Sequence, residues 1–179
     1  MQDVGTRLNI KVFDKNKKLV NRFEKQSDSF VIGFVRAFYF ALMYDTSITT
    51  GERFPWRYRS LAPDGDASYG VVVGNGSQNM LLTDTSLDNQ LLTDNLTYSS
   101  VGIDFPVVIG NSADIVHWRA FSNISGEDLY ITEAGIIRDA HGSTATIRRL
   151  IVKDTFAPIL LQEEHQLLVE YILTFRVHV

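Results

Sequence analysis

The plainest order along the chain is a two-residue alternation of apolar and polar positions. Leu8, Ile10 and Val12 alternate with Asn9 and Lys11, stop at DKNKK and resume from Leu19 to Glu24, which predicts a β-hairpin over residues 7–25. The alternation is cleanest at the other end, where every second residue from Leu167 to Val179 is apolar. Such a strand packs one face inward and turns the other to solvent. Between the two lie LTYSSVGIDFPVVIG, DIVHWRAFSN, DLYITEAGIIRD and TATIRRLIVKDTF, strand-length segments divided by the turn clusters GNSAD, NISGED and DAHGST. Strands at near-regular spacing joined by short turns predict a mainly β fold, an antiparallel β-sandwich of jelly-roll or immunoglobulin-like type over residues 70–179.

One segment breaks the alternation. Ser27 or Ser29 can cap a first helical turn, and Phe30 to Tyr44 then has helical length, so a hydrophobic α-helix is expected over residues 29–44. Phe30, Phe34, Phe38 and Leu42 share one side, Ile32, Tyr39 and Met43 take others, and Arg36 is the only charge. A helix apolar all round is covered all round. A single sheet covers one side, so the second surface is another part of this chain or another subunit. At about 15 residues the segment falls short of the roughly 20 that cross a bilayer. It also lacks the polar face of a membrane-lying helix, so no membrane partner is expected.

Residues 45–69 show no sustained period and read as an extended loop. A connection of that length is usually functional or laid over a partner. Within it RFPWRYR interleaves Arg53, Arg57 and Arg59 with Phe54, Trp56 and Tyr58. That pattern can follow a phosphate backbone while bases stack on the rings. The same residue types make protein interface hot spots. With a net charge of −4, the protein interface is the favoured use and no direct nucleic-acid contact is expected.

Next comes YGVVVGNGSQN, which begins like a phosphate-cradling loop. A dinucleotide fingerprint needs a small residue three places after its second glycine, and that place after Gly76 is Asn79. Nor does a lysine follow, as a P-loop requires. Val71 to Val73 are therefore expected to form a strand, with Gly74 to Gly76 supplying a positive-φ turn.

Composition narrows the rest. The 179 residues fit one domain, 1–179, able to bury roughly 70% of its unfolded surface. There is no cysteine, which excludes disulfides, thiolate nucleophiles and cysteine zinc sites. The N-terminus has no apolar signal core, so secretion by the usual route is not expected, and the sequons at Asn95 and Asn123 read as ordinary turn composition.

The search for chemistry is brief. His117, His141, His165 and His178 show no H-E-x-x-H spacing, and His117 and His178 are expected to alternate outward in strands. No G-x-S-x-G is present. Asp84, Asp88 and Asp94 could meet an ion but lack calcium-loop spacing. Arg119 and Glu133 stand in two apolar strands and are expected to form an internal cross-strand ion pair that sets register. No catalytic, cofactor or metal residue is assigned, and the chain is not read as an enzyme.

The order of YGVVVGNGS, TDTSLDNQLLTDNLTY, WRAFSNISGEDLYITEAGI, LIVKDTF and LLVEYILTFRV resembles small β-sandwich virion proteins of tailed bacteriophages. Ala134, where a larger aliphatic residue is usual, and the basic-aromatic run at 53–59 depart from that pattern. The resemblance implies a non-enzymatic structural component of the neck, tail or capsid surface. Such a protein is made in the host cytoplasm, resides in the virion and has itself and other virion proteins as partners. The contact surfaces would then be Phe30, Phe34, Phe38 and Leu42 on the helix and Arg53 to Arg59 in the loop. A rival reading is a binding module presenting Trp56, Tyr58 or Trp118 to a carbohydrate or cell-surface receptor.

Overall fold

A computed structural model describes residues 2–27, 57–79, 81–104, 107–141 and 146–177. The described residues contain strands and turns and no helix; the segment expected to be helical, with Phe30, Phe34, Phe38 and Leu42, lies outside them, as do Arg53, Phe54 and Trp56.

Eleven strands follow in chain order. They are β1 (Gln2–Phe13), β2 (Leu19–Ser27), β3 (Arg57–Arg59), β4 (Gly70–Gly74), β5 (Leu96–Tyr98), β6 (Gly102–Ile103), β7 (Val107–Ile109), β8 (Ser112–Asn123), β9 (Leu129–His141), β10 (Thr146–Leu161) and β11 (Gln166–Val177). All pairings are antiparallel and make two sheets. The seven-stranded sheet runs β2-β1-β11-β8, and its last position is shared by β5, β6 and β7, placed one after another along β8. The four-stranded sheet runs β10-β9, with β3 and β4 in tandem on the far side of β9.

The period-two pattern explains the larger sheet. Leu8, Ile10 and Val12 are opposite Tyr171, Val169 and Leu167, and all six are buried. The turn between β1 and β2 is shaped by Asp14, whose Oδ1 accepts the Asn16 and Lys18 amides at 2.8 and 2.9 Å. Lys17 there takes a φ of 62°.

Both sheets contribute to a single core. It joins Leu8, Ile10, Phe121 and Val169 from the larger sheet to Val71, Ile136 and Val152 from the smaller. At one side the Phe23 and Phe156 rings meet at 5.2 Å, and Lys25 Nζ reaches Asp154 Oδ1 at 3.2 Å and the Thr155 carbonyl at 3.1 Å. These contacts run from β2 to β10.

The smaller sheet does not alternate. All of β4 is buried, and so are Glu133 through Asp139 of β9. Residues 75–91 are the reason: the chain leaves β4, loops out and returns beside it, with the Leu91 amide on the Val73 carbonyl at 3.0 Å and Leu87 packed against Gly135. A methyl added at Gly135 would lie 2.7 Å from the Val152 carbonyl. Both faces of the sheet are thus covered, which removes the polar alternation.

Two expectations change. Within the stretch read as an extended loop at 45–69, Arg57, Tyr58 and Arg59 form β3 against Asp139 to His141. The single strand expected in LTYSSVGIDFPVVIG follows β8 in three short pieces, because its register slips by one residue between Tyr98 and Gly102 and again between Ile103 and Val107.

Candidate functional site

The charges buried between and upon the sheets are the chemically distinctive part of the molecule. Arg119 enters the core from β8 and is fully buried. Its Nε donates to the Ser99 carbonyl at 2.6 Å, Nη1 to the carbonyls of Tyr69 at 3.1 Å and Val71 at 3.3 Å, and Nη2 to those of Pro63 at 3.1 Å and Asp66 at 2.7 Å. A guanidinium has five N–H groups, so its donor capacity is filled by main-chain oxygen. The Tyr98 ring stands 4.7 Å from the guanidinium carbon, a cation–π contact. Burial lowers the Arg119 pKa, partly offset by Tyr98, Asp66 and Asp64.

Glu133 is the reverse arrangement. Fully buried on β9, its Oε1 accepts the Gly76 amide at 3.1 Å and the Asn89 amide at 2.8 Å, and its Oε2 accepts the Asp88 amide at 3.0 Å. Three charge-assisted bonds hold both ends of the 75–91 loop on the sheet. The expected Arg119–Glu133 pair is therefore corrected. The two residues belong to different sheets, and each charge is satisfied by backbone groups of the loops beside it.

The G-x-G stretch is explained by the same carboxylate. Neither Gly74 nor Gly76 has a positive φ, contrary to the expected turn. A methyl at Gly76 would lie 2.6 Å from Glu133 Oε1 and from Asp88 Cβ, and one at Gly74 would collide with the same carboxylate. The loop does cradle an anion through its amides, and the anion is the protein's own.

A third buried charge completes the clamp. Lys153 Nζ, on β10, binds Asp84 Oδ2 at 3.1 Å and Asp88 Oδ1 at 2.8 Å. Burial alone would lower its pKa, but the hydrogen bonds and charges of Asp88 and Asp84 raise it above its ordinary value. Asp84 and Asp88, two of the three aspartates considered for an ion, thus hold an ammonium instead. Asp88 Oδ2 also accepts the Gln78 amide at 3.1 Å, and Asp84 Oδ2 the Leu81 amide at 3.0 Å.

His117 is corrected as well. It lies two residues from Arg119 on the same face of β8, half-buried, with Nε2 2.9 Å from Ser60 Oγ and Nδ1 buried without a hydrogen-bond partner among the described residues. Burial pushes its pKa down to about 4. Trp118 points the other way, its Nε1 donating to Asp104 Oδ1 at 3.1 Å and its ring against Gly102. Of the residues assigned to contact surfaces, Arg57, Tyr58 and Arg59 are placed in β3 at the edge of the smaller sheet.

The surface carries an open groove of about 790 Å³ whose lining includes Asp64, Asp66, Ser68, Gln90, Thr93 and Arg148. Burial raises the Asp66 pKa, but the Ser68 hydroxyl and amide, with Arg148 and Arg119, bring it below its ordinary value. The groove lies on the stretch whose carbonyls hold Arg119.

No family model, curated protein or solved structure matches this chain.

Proposed function

We propose that this chain is a non-enzymatic structural subunit of a tailed-phage virion, a neck, tail or capsid-surface component that works through repeated protein–protein interfaces. The two sheets are then the layers of one β-sandwich, of jelly-roll or immunoglobulin-like type. Its partners are further copies and other virion proteins. The order of sequence motifs supports this reading, and one structural observation carries it furthest.

Leu81 and Leu82 stand 60% and 58% exposed on a turn tied back through Asp84. Asp84 closes the turn through the Leu81 amide and is itself fixed to the buried Lys153. A turn tied in this way that offers two leucines to water forgoes their burial until a partner covers them, and the tie lowers the entropy cost of that contact. The test is a double Leu81→Asp, Leu82→Asp variant. Its unfolding midpoint is expected to match the wild type while its incorporation into particles is lost; normal incorporation overturns the reading. Polar substitutions at Phe34 and Phe38 make the same test of the apolar N-terminal segment.

The polar groove favours a second reading, a module that binds a carbohydrate or a cell-surface receptor. Trp118 serves it poorly, since a methyl at Gly102 would collide with the indole ring. Binding to a glycan panel that Asp66→Asn or Gln90→Ala abolishes, with incorporation intact, favours this reading over the first.

A further inference from the structure

The loop that Glu133 gathers begins with a chemically labile pair. Of the asparagines in the chain, Asn75 alone is followed by a glycine, Gly76. With no Cβ on the second residue, the main-chain nitrogen of such a pair approaches the asparagine side chain without steric hindrance. It can then displace ammonia from the side-chain amide, one reason asparagine is a thermolabile residue. Asn75 is exposed to the water that the reaction consumes.

Both reacting groups are tied down. The Gly76 N–H donates to Glu133 Oε1 at 3.1 Å, and the Gly76 carbonyl accepts the Thr132 hydroxyl at 2.5 Å. The main-chain N–H of Asn75 donates to the Asn89 carbonyl at 3.0 Å, and Asn75 Oδ1 accepts from Asn89 Nδ2. Ring closure needs the Gly76 nitrogen to lose its proton and the Asn75 side chain to turn toward it. A buried carboxylate beside the nitrogen opposes the negative charge that the loss creates. These restraints come off together, because Gly76 and Asn89 share Glu133 Oε1 as their fastening.

We propose that Asn75 is a deamidation site that the Glu133 clamp keeps latent and that, once converted to isoaspartate, stops the 75–91 loop from closing again. When the loop lifts, the deprotonated Gly76 nitrogen bonds to Asn75 Cγ, and the side-chain nitrogen leaves with a proton as ammonia. Water then adds to one of the two carbonyl carbons of the cyclic imide and breaks that carbon's bond to nitrogen. Opening at Cγ leaves aspartate; opening at the main-chain carbonyl leaves isoaspartate. Isoaspartate routes the main chain through Cγ and so lengthens it by one carbon. The bonds to Glu133, Thr132 and Asn89 were set for the shorter chain and cannot all form again. Nothing in this chemistry requires the chain to assemble.

Peptide mapping by mass spectrometry after incubation at mildly alkaline pH measures the conversion at position 75 in the wild type, Glu133→Gln, Lys153→Met and a synthetic peptide of residues 71–79. Reaction through a local opening is slowed by the fraction of time the loop is closed. The wild type is therefore expected to react at least tenfold more slowly than the peptide. Glu133→Gln should come close to the peptide rate, and Lys153→Met should fall between, since it loses the second fastening alone. Circular dichroism at the incubation temperature establishes that each protein is folded; if Glu133→Gln does not fold, Lys153→Met decides. A wild type as fast as the peptide, or folded variants as slow as the wild type, overturns the latency. The deamidated pool, separated by ion exchange, should be cut by protease within 75–91 several-fold faster than unreacted wild type and than Asn75→Asp, which has the charge without the extra carbon. Equal cutting overturns the one-way release.

Discussion

Arg119 and Glu133 solve one problem with opposite signs. Each is a fully buried charge with no side-chain partner of opposite charge at hydrogen-bond distance among the described residues, and each gathers loop backbone around itself. The cation collects five carbonyls from residues 63–71 and 99, and the anion collects three amides from residues 76–89. The difference lies in what stands behind them. Around Arg119 the neighbours are an aromatic ring and main-chain dipoles, whereas the loop on Glu133 is fastened a second time by Lys153 between two aspartates. One region depends on a single residue, and the other shares its load.

The comparison is broken most directly by Arg119→Met. Five inward carbonyls would lose their donor in a site closed to water, and the cost should be roughly 4–5 kcal/mol. A urea titration would show a global loss of stability. Arg119→Lys should recover only part, since an ammonium offers three donors without the planar fork. Glu133→Gln should cost less, roughly 2–3 kcal/mol, because one amide oxygen can still accept while the new N–H₂ group faces backbone donors. Lys153→Met comes next at roughly 2 kcal/mol, because Asp84 and Asp88 are 18% and 21% exposed and water can solvate them. Its signature is local: limited proteolysis should open residues 75–91 before the sheets unfold.

What the sequence disclosed follows the same division. The β strands at both termini were legible because one face of each is buried throughout and the other only in part, so Leu8, Ile10 and Val12 alternate with Asn9 and Lys11, and Leu167, Val169 and Tyr171 with the less buried Leu168, Glu170 and Ile172. The smaller sheet was harder to read, since a loop covers its outer face and the alternation of β9 disappears beneath it. Arg119 and Glu133 were recognisable as charges inside apolar strands. Their partners were not, because backbone amides and carbonyls carry no sequence signature. Lys153 left a trace: adjacent charges at Lys153 and Asp154 inside an apolar strand must project to opposite faces, and each then needs a partner. Gly74 and Gly76 resembled turn glycines, but a side chain is excluded there by the approach of Glu133 and not by φ.

Acid sharpens the comparison by acting on the Arg119 side. His117 shares that face, and its folded pKa of about 4 lies below its ordinary 6.5. As pH falls through this interval the unfolded chain binds the proton first, so stability present above about 6.5 declines toward pH 4. The loss should be on the order of 2 kcal/mol, allowing for a half-buried ring. Urea midpoints of wild type and His117→Gln, compared at pH 7 and pH 4, should differ in slope, with the variant flatter. Equal slopes would mean that the acid response originates elsewhere.

Base acts on the other side and more gently. The folded pKa of Lys153 is raised above its ordinary 10.5, so the stability it contributes is intact below that pH and is lost as pH climbs through the folded value. Once neutral, Lys153 no longer offers Asp84 and Asp88 an opposite charge, and the backbone amides of Leu81 and Gln78 are what still hold them among the described residues. Tyr98 complicates a global measurement, because burial lifts its pKa from 10 to about 12 and its ionisation costs stability in the same direction. The two separate in a local one. Hydrogen exchange of the Gly76, Asp88 and Asn89 amides, corrected for intrinsic base catalysis, should accelerate above about pH 10.5 in the wild type and show no such step in Lys153→Met. A step of equal size in both proteins would place the alkaline weakness outside Lys153, at buried tyrosines such as Tyr98 and Tyr171, whose pKa values burial also raises, and the second fastening of the loop would then contribute nothing that pH can remove.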